Sequence, residues 1–263
     1  HPVLGLLAAM AAGVCSGFVT AFLQTRLGIQ SILAGIIVNT GLYTINIAVM
    51  GFASNLNLFA CDSVFTWAKD AIGGTWYKLI VAAVIVALVG VLISLFLNTR
   101  LGLSIRATGD NPDMVRASSI NTGMMITIGL CVANALTGLS GGLLAQYQKS
   151  CDINLGTGMV TIALASLIIG ETIIGKGSML KRVIGVILGS CLYRFIVAVA
   201  LRLNVPAECL KLVSSIIVAV AIAFPYLKKQ AVFYRQKRAA KAENEQYIAE
   251  LLREERMGKG GNA

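Results

Sequence analysis

Apolar runs of about 20 residues recur along this chain, separated by short polar breaks. A helix rises about 1.5 Å per residue, so such a run spans the roughly 30 Å hydrocarbon core of a bilayer. The pattern predicts seven spans, at 2–24, 30–50, 77–97, 122–147, 160–175, 183–201 and 210–227, the fifth being short. The expected fold class is therefore all-α, a polytopic membrane helix bundle. The apolar, membrane-spanning part is 1–227, with the polar segment 100–121 inside it, and 228–263 is a basic, partly helical tail. An odd span count puts His1 on the face opposite the tail, and one missing N-terminal span would give eight.

The longest polar interruption between two strongly apolar blocks is 100–121, RLGLSIRATGDNPDMVRASSIN. Its middle reads as a short helix. Asp110 or Asn111 can cap it, Pro112 suits the first helical position, and Asp113 complements the positive end of the helix dipole. Arg116 falls near its other end, and Asn121 offers a fresh cap for the next span. Met114, Val115 and Ala117 are apolar residues in a polar segment. They read either as a loop helix lying on its own bundle or as a knob for a soluble partner.

The other connections are simpler. The loop 51–76 is polar and aromatic, with a short interfacial helix expected at 64–71. A short loop is expected at 148–158, and a basic turn at 177–182. In the tail, 239–256 is a good helix former with Lys241/Glu245 and Glu250/Arg253 at helical pair spacing. It is expected either to be solvated or to lie on the leaflet or a partner.

Composition agrees with a membrane protein. The chain is 57% hydrophobic and only 13% charged, where a soluble domain carries about 25% charged residues. The net charge of +10 raises the question of nucleic acid, and its distribution answers it. Arg26, Arg100, Arg106, Arg116, Lys176, Lys181, Arg182 and the nine basic residues of the tail fall on one side of the predicted bundle. Lys69, Lys78, Lys149, Arg202 and Lys211 fall on the other, with Arg194 inside a span. By the positive-inside rule the first side, including 100–121 and the C-terminus, is cytoplasmic. The charge thus reads as an orientation signal, with the lipid bilayer as partner and no nucleic acid.

Chemistry-bearing residues are sparse. The single His is at position 1, so no histidine-based metal site or triad forms within the chain, and there is no G-x-x-x-x-G-K-[ST] phosphate loop. No catalytic residue, metal site or cofactor is expected in this chain. Cys15, Cys131 and Cys191 fall within spans as apolar fillers, while Cys61, Cys151 and Cys209 are expected outside, with no spacing that dictates pairing. Gly13/Gly17, Gly138/Gly142 and Gly185/Gly189 repeat at four-residue spacing, which lets helices approach closely in lipid. Intramembrane polar residues are the remaining functional candidates: Asn39, Asn46, Asn134, Glu171 and Arg194. Interhelical hydrogen bonding and lining of a solute path are the two readings for the asparagines. For Glu171 and Arg194, helix geometry favours an ion pair fixing the fifth span to the sixth. A solute carboxylate on Arg194 is the rival.

The segment RATGDNPDMVRASSIN resembles the cytoplasmic coupling segment of permease subunits from ABC importers of the branched-chain amino acid and ribose type. Their pattern is close to R-A-x-G-x-N-x-x-x-A-x-x-x-G-I; here Arg106, Ala107, Gly109, Asn111 and Ile120 match, and Ser119 stands where the usual glycine would. The run IIGETIIGKGSMLKRVIGVILGSCLYR is similar to a subgroup linked to amino acid uptake, tryptophan and tyrosine among them. The resemblance implies a permease that moves an amino acid or similar small polar solute by alternating access across the cell membrane. It also implies a second permease copy, ABC ATPase subunits holding ATP and Mg, and an extracellular substrate-binding lipoprotein. Docking to the ATPase would fall on Gly109, Asp110, Asn111, Pro112, Asp113, Met114, Val115, Arg116 and Ala117. A sugar or nucleoside importer of the same scaffold, and a stand-alone secondary transporter or channel, are the alternatives.

Overall fold

The computed structural model describes residues 1–202 apart from positions 60, 75, 157 and 176, together with isolated helical positions between 212 and 241. The expected seventh span at 210–227 and the tail at 228–263 lie outside the described residues, those isolated positions aside. The chain forms two compact units, His1–Met159 and the part that begins at Val160.

In the first unit, α1 (Pro2–Thr25), α2 (Ser31–Val49), α4 (Tyr77–Asn98) and α7 (Thr122–Gln148) are long and apolar enough to cross a membrane. They match the first four expected spans closely. Most of their side chains face outward: Ile32, Val49 and Leu95 are exposed, as lipid-facing or partner-facing residues must be. What is buried is small, notably Ala21, Ala34 and Ala135. Without water to drive helices together, packing in a bilayer depends on small residues that let backbones touch.

The α1–α7 contact shows this most clearly. The two helices run antiparallel, with Thr25 beside Gly123, Gly17 beside Leu130, Gly13 beside Asn134 and Ala9 beside Gly138. A methyl group on Gly17 would sit 2.6 Å from the Leu130 carbonyl oxygen. One on Gly13 or Gly138 would overlap the facing backbone outright. The glycine pairs Gly13/Gly17 and Gly138/Gly142 are thus packing seams.

At the end of the bundle away from α5, the loops after α2 and α7 meet. The mostly helical fold here carries a short sheet that the sequence pattern does not announce: β1 (Asn55–Asn57) and β2 (Ser150–Asp152) form a two-stranded antiparallel sheet with Leu56 opposite Cys151. The strands are only three residues long, too short for any periodic signal. Their pairing places both loops on one face of the bundle. The expected interfacial helix is present as α3 (Val64–Ile72). Ser63 and Thr66 close its start as a reciprocal capping box. Its Phe65 is buried and meets Tyr147 edge-on at 5.5 Å, and the Lys78 ammonium lies 5.0 Å from the same tyrosine ring.

A residue without an obvious sequence signal ties this end together. Gln146 Nε2 donates to the Pro2 carbonyl at 2.9 Å, and its Oε1 accepts from the Val64 N–H at 3.0 Å. It satisfies a free donor at the start of α3 and adds a second hydrogen bond to a carbonyl in the first turn of α1.

The second unit contains α8 (Met159–Ile174) and α9 (Met179–Arg202). α9 is a full-length span, beginning four residues earlier than expected, so Lys181 and Arg182 belong to its first turn rather than to a basic turn. α8 has 16 residues, about 24 Å, short of the hydrocarbon thickness as foreseen. The two helices pack antiparallel through Gly170, which is wedged between Gly185 and Gly189, and through Ser166 against Gly189. Tyr193 and Ala165 form the buried core beside this seam.

Candidate coupling segment and intramembrane polar residues

The polar segment between α4 and α7 is built as two helices, where the sequence pattern suggests one. α5 (Arg100–Asp110) is helical from its first residue. Thr99 breaks α4, and its Oγ1 accepts from the Gly102 N–H at 3.2 Å, starting the new helix at once. Gly102 lies against the backbone of Phe96 and Leu97, a place no side chain fits. The turn between a span and a polar helix is therefore made by a cap and a close approach, which hydropathy does not report.

α6 (Pro112–Ala117) is the expected short helix. Asp110 is not its cap, because it is the last residue of α5. Asn111 caps it: its Oδ1 accepts from the N–H groups of both Asp113 and Met114, each at 3.1 Å. Pro112 occupies the first turn and Asp113 faces the positive end of the dipole, as foreseen. The far end closes as a Schellman motif. The Ile120 N–H reaches the Val115 carbonyl at 3.3 Å, and the Ser119 N–H reaches that of Arg116 at 3.1 Å. This motif needs a left-handed residue, and Ser119 supplies it with φ 61. That is the position where the coupling-segment pattern carries glycine, so the departure from the pattern is a departure from the easiest conformer.

Six residues do not make a stable helix alone. Two caps and one buried side chain hold this one. Val115 is only 3% exposed and anchors α6 to its own bundle, whereas Met114 is 66% exposed. The expectation that Met114 and Val115 form one outward apolar knob therefore splits. Val115 points inward, and Met114 alone is presented, with Asp113 and Arg116 exposed beside it and Ala117 at the helix end. Arg116 Nη2 lies 3.4 Å from the hydroxyl of Thr122, the first residue of α7. Gly109, in the last turn of α5, lines a cavity of about 300 Å³ with Gln24, Thr108 and Met125. A methionine between two charged side chains on a doubly capped helix suits protein contact. Among the described residues no cluster of His, Cys, Asp or Glu could hold a metal.

The intramembrane candidates do not converge in the first unit. Asn39 and Asn46 are exposed along α2. Asn134 sits on α7, and its amide donates back to the Leu130 carbonyl at 2.9 Å on its own helix. In the second unit, Glu171 is half-buried on α8 and Arg194 is exposed on α9. The helix register sets the distance that the ion pair expected between them would have to span. Because Gly170 lies between Gly185 and Gly189, Glu171 is level with about residue 186. Arg194 is then about 12 Å further along the axis. Its neighbour Tyr193 takes the buried face, which turns Arg194 away.

Comparison with known proteins places these elements. The family described as branched-chain amino acid transport system / permease component matches residues 1–222. A tyrosine transport system permease protein of Clostridioides difficile (strain R20291) is 34% identical over 222 residues, 84% of this chain and 72% of that protein. A fructose import permease protein of Bifidobacterium longum (strain NCC 2705) is 24% identical over 245 residues, 91% of this chain and 67% of that protein. A ribose import permease protein of Escherichia coli (strain K12) is 24% identical over 238 residues, 84% of this chain and 68% of that protein. No solved structure matches the chain significantly. With a match running from the first helix past α9 and, among the described residues, five helices able to span a bilayer, the chain belongs to the permease component family of the branched-chain amino acid transport system.

Proposed function

We propose that this chain is the translocating subunit of an ATP-driven importer for an amino acid, with an aromatic amino acid as the first candidate. The observation that carries the substrate class is the 34% identity to a tyrosine transport permease across 84% of the chain, against 24% to a ribose permease. In this reading the bundle sits in the cell membrane, with 100–121 and the C-terminus facing the cytoplasm. The distribution of basic residues supports that orientation. ATP and Mg belong to separate ATPase subunits. A second permease copy and an extracellular binding lipoprotein complete the assembly.

α6 is the contact through which the ATPase moves the bundle. Met114 inserts into a groove of the ATPase, and Asp113 and Arg116 flank it. Val115 carries the displacement inward because it is packed against the bundle while Met114 is not. Alternating access then follows from a two-state ATPase biasing a two-state bundle.

The test is reconstitution of the chain in proteoliposomes with the ATPase and binding lipoprotein from neighbouring genes. ATP-dependent uptake of labelled tyrosine, without uptake of ribose, is the expected result. Met114→Asp should leave the protein inserted and folded yet lower ATPase retention and uptake at least about tenfold, since a carboxylate in an apolar groove costs more than about 1.4 kcal/mol. Uptake without any ATPase would favour a stand-alone transporter. Ribose-only uptake would overturn the amino acid assignment, and full ATPase retention by Met114→Asp would overturn the docking role.

A further inference from the structure

One cavity in the first unit shares only Arg116 with the docking segment described above. It measures about 930 Å³ and lies between the end of α1, the end of α6 and the start of α7. That is near the upper limit of about 300–1,000 Å³ for ligand sites. Its two ends differ in chemistry. Phe18, Phe22 and Arg26 follow one another at four-residue spacing, and all three line it. The phenylalanines, 56% and 48% exposed, form an apolar wall at the depth of the span. Arg26 caps α1 at the rim, and Arg116 faces the same space with its guanidinium held toward Thr122. No acidic side chain lines the cavity among the described residues. The start of α7, a helix of 27 residues, adds the positive end of its dipole.

We infer that this cavity binds an anionic phospholipid, its phosphate between Arg26 and Arg116 and an acyl chain along Phe18 and Phe22. Guanidinium groups match phosphate oxygens with paired donors. Basic pockets between helices at the membrane rim suit anionic headgroups. The order along the axis, charge at the rim and aromatic wall below it, is the order of a lipid in the leaflet. A free phosphate would use the arginines and leave the apolar wall wet. A zwitterionic amino acid would bring its ammonium group to a site with two guanidinium groups and no carboxylate in the lining to offset the like charge. Because Arg116 belongs to the same short helix as Met114, the lipid would also brace α6 against α7.

The experiment uses the full chain in detergent micelles, titrated with phosphatidylglycerol or phosphatidylcholine of identical acyl chains, with retained lipid counted by native mass spectrometry. Phosphatidylglycerol should be retained preferentially, and Arg26→Gln with Arg116→Gln should remove the preference, by about fivefold for each arginine. Arg26→Lys with Arg116→Lys should keep part of it. Arg100→Gln, which removes a basic residue outside the cavity, should leave it intact. Phe22→Ser should weaken retention without abolishing the headgroup preference. Arg26→Gln alone, the loss of one exposed side chain, carries the test should the double variant not fold. Equal retention of the two lipids, unchanged preference in the Arg26→Gln variants, or an equal loss in Arg100→Gln would overturn the site. Displacement of phosphatidylglycerol by equimolar inorganic phosphate would reassign it to free phosphate, and displacement by equimolar tyrosine would reassign it to an amino acid; either overturns the lipid.

Discussion

Gly13 of α1 lies directly against the carbonyl of Asn134 on α7, so close that a methyl group at position 13 would overlap the oxygen. This contact sets the approach of the two helices with the most extensive packing in the first unit. On the same residue the side-chain amide is turned back on the Leu130 carbonyl of its own helix. Gly13→Ala should therefore destabilise the unit by about 1–3 kcal/mol. Gly35, with nothing within 4 Å of where its side chain would be, makes the contrast. Gly35→Ala should gain about 0.5–1 kcal/mol from helix propensity. Thermal unfolding in detergent reads both, and the opposite signs are the prediction.

The double cap by Asn111 holds the start of α6. Asn111→Ala should cost about 0.5–2 kcal/mol of local stability. Asn111→Asp, which keeps the acceptor, should cost little. Hydrogen exchange at the amides of Asp113 and Met114 measures this directly, and faster exchange confined to α6 is the expected outcome.

Ser119 closes the other end of α6 in a left-handed conformation. A non-glycine residue there costs about 1–2 kcal/mol, partly offset by the lower freedom of serine in the unfolded chain. Ser119→Gly should raise the stability of the segment by up to about 1 kcal/mol. Slower exchange of the Ser118–Ile120 amides would report it; faster exchange would mean that the serine hydroxyl has a role the Schellman geometry lacks.

The sheet between β1 and β2 fixes the loops after α2 and α7 on one face, opposite α5 and α6. With the basic residues read as cytoplasmic, a cysteine placed at Ser178 should react with an impermeant thiol reagent only after the cell is opened. One placed at Asn154 should react in intact cells. The cysteines expected outside, Cys61, Cys151 and Cys209, must first be replaced. The reverse pattern would invert the orientation.

By itself the sequence determined the features that depend on neighbours along the chain. The length and hydropathy of α1, α2, α4, α7 and α9 follow from a bilayer that demands about 20 apolar residues per crossing. The Asn111 cap and Pro112 follow from the few residues that start helices, and the glycine seams from the close approach that only small residues allow. Tertiary structure decided what depends on partners far away in sequence. Val115 faces in and Met114 out because α6 docks on one side only, and a six-residue helix has too few turns to declare its face. The offset between Glu171 and Arg194 follows from Gly170 locking between Gly185 and Gly189, which sets the register and gives the buried face to Tyr193. Gln146 bridges Pro2 and Val64 only once three helix ends converge. Hydropathy records how deep a residue sits in the membrane; which way it faces is set by the backbone that packs against it.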